Sequence, residues 1–228
     1  MSRTLLAPTR QILRLRLVPT ASLPAARAYS ASVKPHARLE PASSLVPSST
    51  HDLEGVFAIV MDRPEARNAL SVQMVDEMRA AIAKLSTDPA ARVVLLHSTG
   101  PVFCAGADLR ERKTMTQPQV AAFLDALNAM VCELEDLPLP TVAIVPGPAL
   151  GGGTELALGC DLRVGGKETS FALPETKLGI IPGAGGTQRM TKLVGMSKAM
   201  ELIFTGRKVG ADEAARIGMF ITTWVLYC

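Results

Sequence analysis

The stretch that most constrains this chain is Gly147-Pro-Ala-Leu-Gly-Gly-Gly-Thr-Glu-Leu-Ala-Leu-Gly-Cys-Asp161. It follows a strand-like run, Thr141-Val-Ala-Ile-Val145, and opens an apolar helix. Where strands and helices alternate along the chain, as this passage begins to show, the class is α/β. Gly151 to Gly153 leave backbone N–H groups uncovered at a helix start, where donors and the helix dipole favour an anion or a developing oxyanion. One turn in stands Glu155, flanked by Leu156, Ala157 and Leu158. An apolar setting raises a carboxyl's pKa and suits it to proton transfer near neutral pH. The plainer alternative is a glycine-rich loop followed by a solvated glutamate.

The flanking pattern extends the α/β reading. Gly55-Val-Phe-Ala-Ile-Val-Met61 and Arg92-Val-Val-Leu-Leu-His97 read as core strands, with Leu162-Arg-Val164 and Phe171-Ala-Leu173 as shorter ones. Ser71 is placed to cap a helix through about Leu85, with Val75, Met78, Ile82 and Leu85 as its buried stripe. Thr116-Gln-Pro-Gln119 has capping-box spacing for a helix running to about Glu135. Residues 99–109 read as a loop of small residues, and further helices are expected over 187–194, 197–205 and 211–217.

The charge is unevenly spread. All 21 acids lie at Glu40 or later, and seven of the 24 basic residues precede it, so the remainder carries 17 basic against 21 acidic residues, a net of −4. A mildly acidic body gives no electrostatic case for nucleic acid. The acid-free, Arg-rich residues 1–29 have the amphipathic character of a mitochondrial transit peptide, with Arg27-Ala-Tyr-Ser30 as the processing site. Residues 30–52, rich in Pro and Ser, read as a linker. The folded domain is expected over 53–220, and 221–228 as a tail without helical period. Four scattered cysteines without a C-x-x-C pair fit a reducing compartment and argue against a zinc site. No apolar run is long enough to span a bilayer.

Familiar nucleotide fingerprints are absent: there is no G-x-x-x-x-G-K-[ST] and no G-x-G-x-x-G. His36 and His51 fall in the extension and linker. His97 ends a core strand, where a satisfied structural histidine is expected, and Cys104 reads as a packed thiol. What remains is two backbone segments, Cys104-Ala-Gly-Ala-Asp108 and Leu150-Gly-Gly-Gly153, and two carboxylates, Glu155 and Glu175. Glu175 alone reads equally well as a surface acid paired with Lys177.

Taken together, Phe103-Cys-Ala-Gly-Ala-Asp-Leu-Arg-Glu-Arg112, Ala149-Leu-Gly-Gly-Gly-Thr-Glu-Leu-Ala-Leu158 and Ile181-Pro-Gly-Ala-Gly-Gly-Thr-Gln-Arg189 resemble the enoyl-CoA hydratase/isomerase (crotonase) superfamily. Glu175-Thr-Lys-Leu-Gly-Ile-Ile-Pro182, with Glu201-Leu-Ile-Phe-Thr-Gly-Arg207, is most similar to its mitochondrial methylglutaconyl-CoA hydratases and their relatives. The resemblance implies a spiral of repeated β-β-α turns, with the family's C-terminal helices missing here. It implies hydration of an α,β-unsaturated acyl-CoA, 3-methylglutaconyl-CoA or a short-chain enoyl-CoA, in the mitochondrial matrix by a homotrimer or homohexamer. By the same resemblance the N–H groups of Ala107 and Gly152 form the oxyanion hole and Glu155 and Glu175 are catalytic. Arg63, Ala66, Leu70, Ala105, Asp108, Leu109 and Gly151 line the path of the CoA substrate, and Pro174, Leu178 and Gly183 border the acyl pocket. No metal or further cofactor is implied. Pro146 stands where the family has Asp. Two other functions remain open: an inactive, truncated interaction protein, and an RNA-binding protein. The latter wants a comb of lysines on the first helix, which offers only Arg79 and Lys84 beside Asp76 and Glu77.

Overall fold

The computed structural model describes residues 34–47 and 49–219 and the backbone of 222–223, all within the compact unit Lys34–Cys228. The transit peptide expected over 1–29, its processing site and most of the tail lie outside the described residues. Along the chain, β1 (Ala37–Pro41) leads through a 3-10 turn (Ala42–Ser44) to β2 (Val56–Met61), a second 3-10 turn (Pro64–Ala66) and α1 (Val72–Leu85). Then come β3 (Val93–Ser98), α2 (Leu109–Arg112) and α3 (Gln117–Glu135). A third turn holds β4 (Thr141–Val145), β5 (Pro148–Leu150) and α4 (Gly152–Leu158). A fourth holds β6 (Leu162–Gly165), β7 (Ser170–Ala172), a 3-10 helix (Pro174–Leu178) and α5 (Gly186–Val194). The described chain closes with α6 (Met196–Thr205), β8 (Val209–Gly210), α7 (Ala211–Arg216) and β9 (Thr222–Thr223).

Two sheets result. The first has the order β1-β2-β3-β4-β6-β9, parallel except for the antiparallel edge pair β1-β2. The second is β5-β7-β8. Each β-β-α turn therefore puts one strand in the first sheet and the next in the second. In the first two turns the second sheet thins to single-residue bridges, Leu70 with Ala107 and Cys104 with Ala149.

The helix starts follow the capping chemistry. Ser71 Oγ accepts from the Met74 N–H at 3.1 Å, a contact of the kind that stabilises by about 1 kcal/mol. At α3, Gln119 Oε1 accepts from the Thr116 N–H at 2.8 Å. Met74, Met78 and Ile82 of α1 then bury against Met130 and Leu134 of α3 and Ile59 of β2 in one apolar core.

The linker expected over 30–52 is corrected by β1. Ala37-Arg-Leu-Glu-Pro41 pairs along β2 from Ala37–Met61 to Pro41–Phe57. Its start is tied to α1: Glu77 Oε2 accepts from the N–H groups of His36 and Ala37 at 2.8 and 2.7 Å, and Gln73 donates to the Lys34 carbonyl. Prolines at both ends and the serines that follow hide so short an edge strand. The tail contributes Thr222–Thr223, which pair in parallel with β6. His97 is half-buried, but its Nδ1 has no partner among the described residues, so the satisfied histidine expected there is not found.

Candidate active site

The site begins where the second sheet thins. The Leu70 N–H donates to the Gly106 carbonyl at 2.8 Å and the Leu70 carbonyl accepts from the Asp108 N–H at 2.9 Å. Those bonds flank Ala107 and turn its own N–H away from Leu70. On the other side, the Leu150 N–H donates to the Cys104 carbonyl at 2.9 Å. The segment 104–108 is thus held between Leu70 and β5, which brings Ala107 beside the start of α4. A Cβ placed on Gly152 would lie 3.8 Å from the Ala107 nitrogen, and one on Gly106 would lie 3.4 Å from the Gly152 nitrogen. Among the described residues neither the Ala107 nor the Gly152 N–H has a protein acceptor.

The three glycines do three different jobs, and of their N–H groups that of Gly151 is not open. The Gly151 N–H is taken by the Ala172 carbonyl at 2.9 Å. Its backbone has φ 52°, and a Cβ there would come within 2.9 Å of Glu175 Oε1. Gly152 supplies the open N–H. Gly153 packs on Cys104, whose carbonyl a Cβ would strike. The Cys104 thiol is fully buried, as the sequence implies, and burial pushes it up to about 12.

Both carboxylates are buried. Glu155, on α4, has Oε1 held by the N–H groups of Ala184 and Gly186, each at 2.8 Å. Burial pushes its carboxyl above the ordinary value, against the opposing pull of those two N–H groups and of Arg189. The solvated-glutamate alternative is therefore not what is observed. Glu175, on the 3-10 helix after β7, is 8% exposed and its Oε2 is buried with no partner among the described residues. Burial pushes it up to about 7, its own N–H opposing and the charge of Glu155 adding. Lys177 is exposed and makes no ion pair with it among the described residues, so the surface pairing is corrected as well: the first residues of the 3-10 helix turn inward while Lys177 faces out.

The remaining expected residues spread around this centre. Leu70 is fully buried with Cδ1 against Gly152. Arg63 donates through Nη1 to Asp108 Oδ2 at 2.6 Å. Asp108 Oδ1 caps α2, accepting from the Arg110 and Glu111 N–H groups at 2.9 and 3.3 Å. Burial would push the Asp108 carboxyl up, but Arg63 and these N–H groups hold it below the usual value. Ala66, Ala105 and Pro174 are half-buried, and Leu109, Leu178 and Gly183 are exposed. Gly183 faces Leu124 of α3.

Sequence reasoning missed the roles of four residues. Ala184 and Gly186 hold Glu155; the signal was a second glycine cluster ahead of a helix. Arg189 is buried behind them. Asn68, with φ 53°, accepts from the Arg63 N–H and donates to the carbonyls of Thr99 and Val102. It fixes the loops that carry Arg63 and Cys104, and asparagine is one of the few residues that tolerates that backbone. On the RNA reading, Arg79 of α1 is already paired with Glu133 of α3.

Known proteins resemble this chain in sequence and in fold. The sequence model of the enoyl-CoA hydratase/isomerase family matches residues 52–224. The chain is 49% identical over 166 residues to "Probable enoyl-CoA hydratase 2, mitochondrial" of Arabidopsis thaliana, covering 72% of this chain and 55% of that protein. It is 39% identical over 204 residues to "Methylglutaconyl-CoA hydratase, mitochondrial" of Homo sapiens, covering 89% and 59%. It therefore spans little more than half the length of these two relatives. The crystal structure of enoyl-CoA hydratase from Bacillus anthracis superposes with a TM-score of 0.77 at 36% identity, covering 84% of this chain and 71% of that one. The two-sheet spiral is thus the crotonase fold.

Proposed function

This chain belongs to the enoyl-CoA hydratase/isomerase family, and we propose that it hydrates the 2,3 double bond of an α,β-unsaturated acyl-CoA. The reading rests above all on one observation: two buried carboxylates, Glu175 raised in part by the charge of Glu155, share the site with two main-chain N–H groups that have no protein acceptor among the described residues. In this reading the thioester carbonyl lies between the N–H groups of Ala107 and Gly152. As the water oxygen bonds to C3, the π electron pair shifts toward C2 and the carbonyl oxygen. The two N–H groups take the developing charge, and removing one such donor typically costs about 10²–10³ in rate. A proton then reaches C2 and the carbonyl re-forms, so one water is added whole, on one face of the double bond. Glu155 and Glu175 hold that water. One acts as base on it, and the other, or the same proton relayed, supplies C2. A carboxyl near 7 suits this exchange, since it can give or take a proton at neutral pH.

Arg63, Ala66, Leu70, Ala105, Asp108, Leu109 and Gly151 would line the CoA side, and Pro174, Leu178 and Gly183 the acyl side. The chemistry requires no metal or cofactor beyond the CoA of the substrate. The human relative's name supports 3-methylglutaconyl-CoA as substrate, with short-chain enoyl-CoA as the neighbouring class. The two mitochondrial relatives support a mitochondrial address, and we place the protein in the matrix as a homotrimer or homohexamer. The test is hydration of 3-methylglutaconyl-CoA and of crotonyl-CoA, followed by loss of the conjugated thioester absorbance. Turnover of either is expected; a folded chain that hydrates neither overturns the reading.

A further inference from the structure

We propose that Arg189 is a positioning residue for Glu155, acting through the 184–186 segment and braced by Glu135 on α3; this rests on the hydratase reading above. Arg189 lies on α5, 8% exposed, and all three of its guanidinium nitrogens are engaged. Nη1 donates to the Ala184 carbonyl at 2.8 Å. Nε and Nη2 both donate to Glu135 Oε2, at 2.9 and 2.6 Å, and Nη2 also lies 3.5 Å from Cys132 Sγ. The chain of contacts is continuous. Ala184 gives its carbonyl to Arg189 and its N–H to Glu155 Oε1. Gly186, the second donor to that oxygen, is the first residue of α5, the helix that carries Arg189.

The glycines of this segment fit the same purpose. Gly185 has φ 88°, and a Cβ there would collide with Arg189 Nη1. A Cβ on Gly186 would come within 2.9 Å of Glu155 Oε1. The guanidinium thus lies over one glycine and the carboxylate over the next. The brace is also well chosen. α3 carries Glu135 at its last turn and Leu127 near its middle, and Leu127 packs against Gly152. One helix therefore sets both the N–H of Gly152 and, through Arg189, the orientation of Glu155. A planar fork is required, because one side chain must reach a carbonyl and a carboxylate at fixed angles, which a lysine ammonium does not do.

The experiment uses the full chain and the variants Arg189→Met, Arg189→Lys and Glu135→Gln, with kcat and KM for crotonyl-CoA measured across pH. The carboxyl of Glu155 is followed in parallel by ¹³C NMR, assigned with Glu155→Gln. In Arg189→Met, kcat falls about 10²-fold, the cost of a reacting group displaced by roughly an ångström, while KM changes by less than about three-fold. The Glu155 titration midpoint moves to higher pH, because a cation that favoured its charged form is gone. Arg189→Lys returns the midpoint toward wild type without restoring kcat. Glu135→Gln lowers kcat by roughly ten-fold, a smaller displacement of the same group, and leaves the midpoint no higher. A folded Arg189→Met with wild-type kcat, or with an unmoved midpoint, overturns the proposal. If that variant does not fold, wild-type kcat in both of the others does so. If the wild-type chain hydrates no enoyl-CoA, the functional reading falls, and the NMR midpoint still decides whether Arg189 governs Glu155.

Discussion

Glu155 and Glu175 are the same residue type, both buried, and held in opposite ways. Glu155 sits in a regular helix with one oxygen between two N–H donors. Glu175 sits in a 3-10 helix with one oxygen buried and without a partner among the described residues. Two main-chain donors restrain a carboxylate in position and favour its charged form. A buried oxygen with no partner leaves its owner poorly solvated and ready to hold a proton. Burial therefore does not by itself decide a carboxyl's chemistry; the local donors do. In the proposed reaction this divides the labour between an oriented group and one titrating near neutrality.

Replacing each acid by its amide presses hardest on that contrast. Glu155→Gln and Glu175→Gln are each expected to lower kcat by about 10²–10⁴, the range for removing a positioned acid or base, while acyl-CoA still binds. Steady-state kinetics with a separate binding measurement checks both. Wild-type turnover in either variant breaks the division of roles.

A second expectation concerns stability alone. The folded value of Glu175, about 7, lies above the ordinary 4.5. Between those pH values the folded chain keeps a proton that the unfolded chain has lost. Its contribution is therefore fully present below 4.5 and disappears as pH rises through about 7, amounting to roughly 3 kcal/mol. Urea unfolding at pH 5 and pH 8 should show this loss in wild type and much less of it in Glu175→Gln. An equal pH dependence in both proteins would mean that the proton resides elsewhere.

The smallest effect is expected beside Glu175. Lys177→Ala should change stability by less than about 0.5 kcal/mol, as for an exposed side chain without a specific role, and leave kcat unchanged. A large change would restore the surface pairing that the inward turn of Glu175 argues against.

What the sequence makes legible follows from the range over which each signal acts. Ser71 and Thr116 announce α1 and α3 because a cap and its acceptor lie within one turn. Glu155 stands out as an acid inside an apolar helix. The two segments meeting at Ala107 and Gly152 could be named from the family resemblance. Their meeting depends on Leu70, Cys104 and Leu150 bridging distant stretches, and no local pattern encodes that. β1 was hidden because five residues between prolines carry too little periodicity. Glu175 was ambiguous because a Lys two residues away offers a surface explanation that only the turn of the 3-10 helix removes. Arg189 was unreadable for a different reason: its partners Glu135 and Ala184 come from another helix and from its own approach loop.

The pair of open N–H groups where the second sheet thins has one more implication. These donors belong to the polypeptide itself, so substituting Ala107 with another small residue changes no donor atom. A scan of single substitutions would register that position only as a limit on bulk, and its tolerance would resemble that of an unimportant spacer. Only a change to the chain's own chemistry, such as replacing the amide by an ester at Gly152, would reveal what the position contributes.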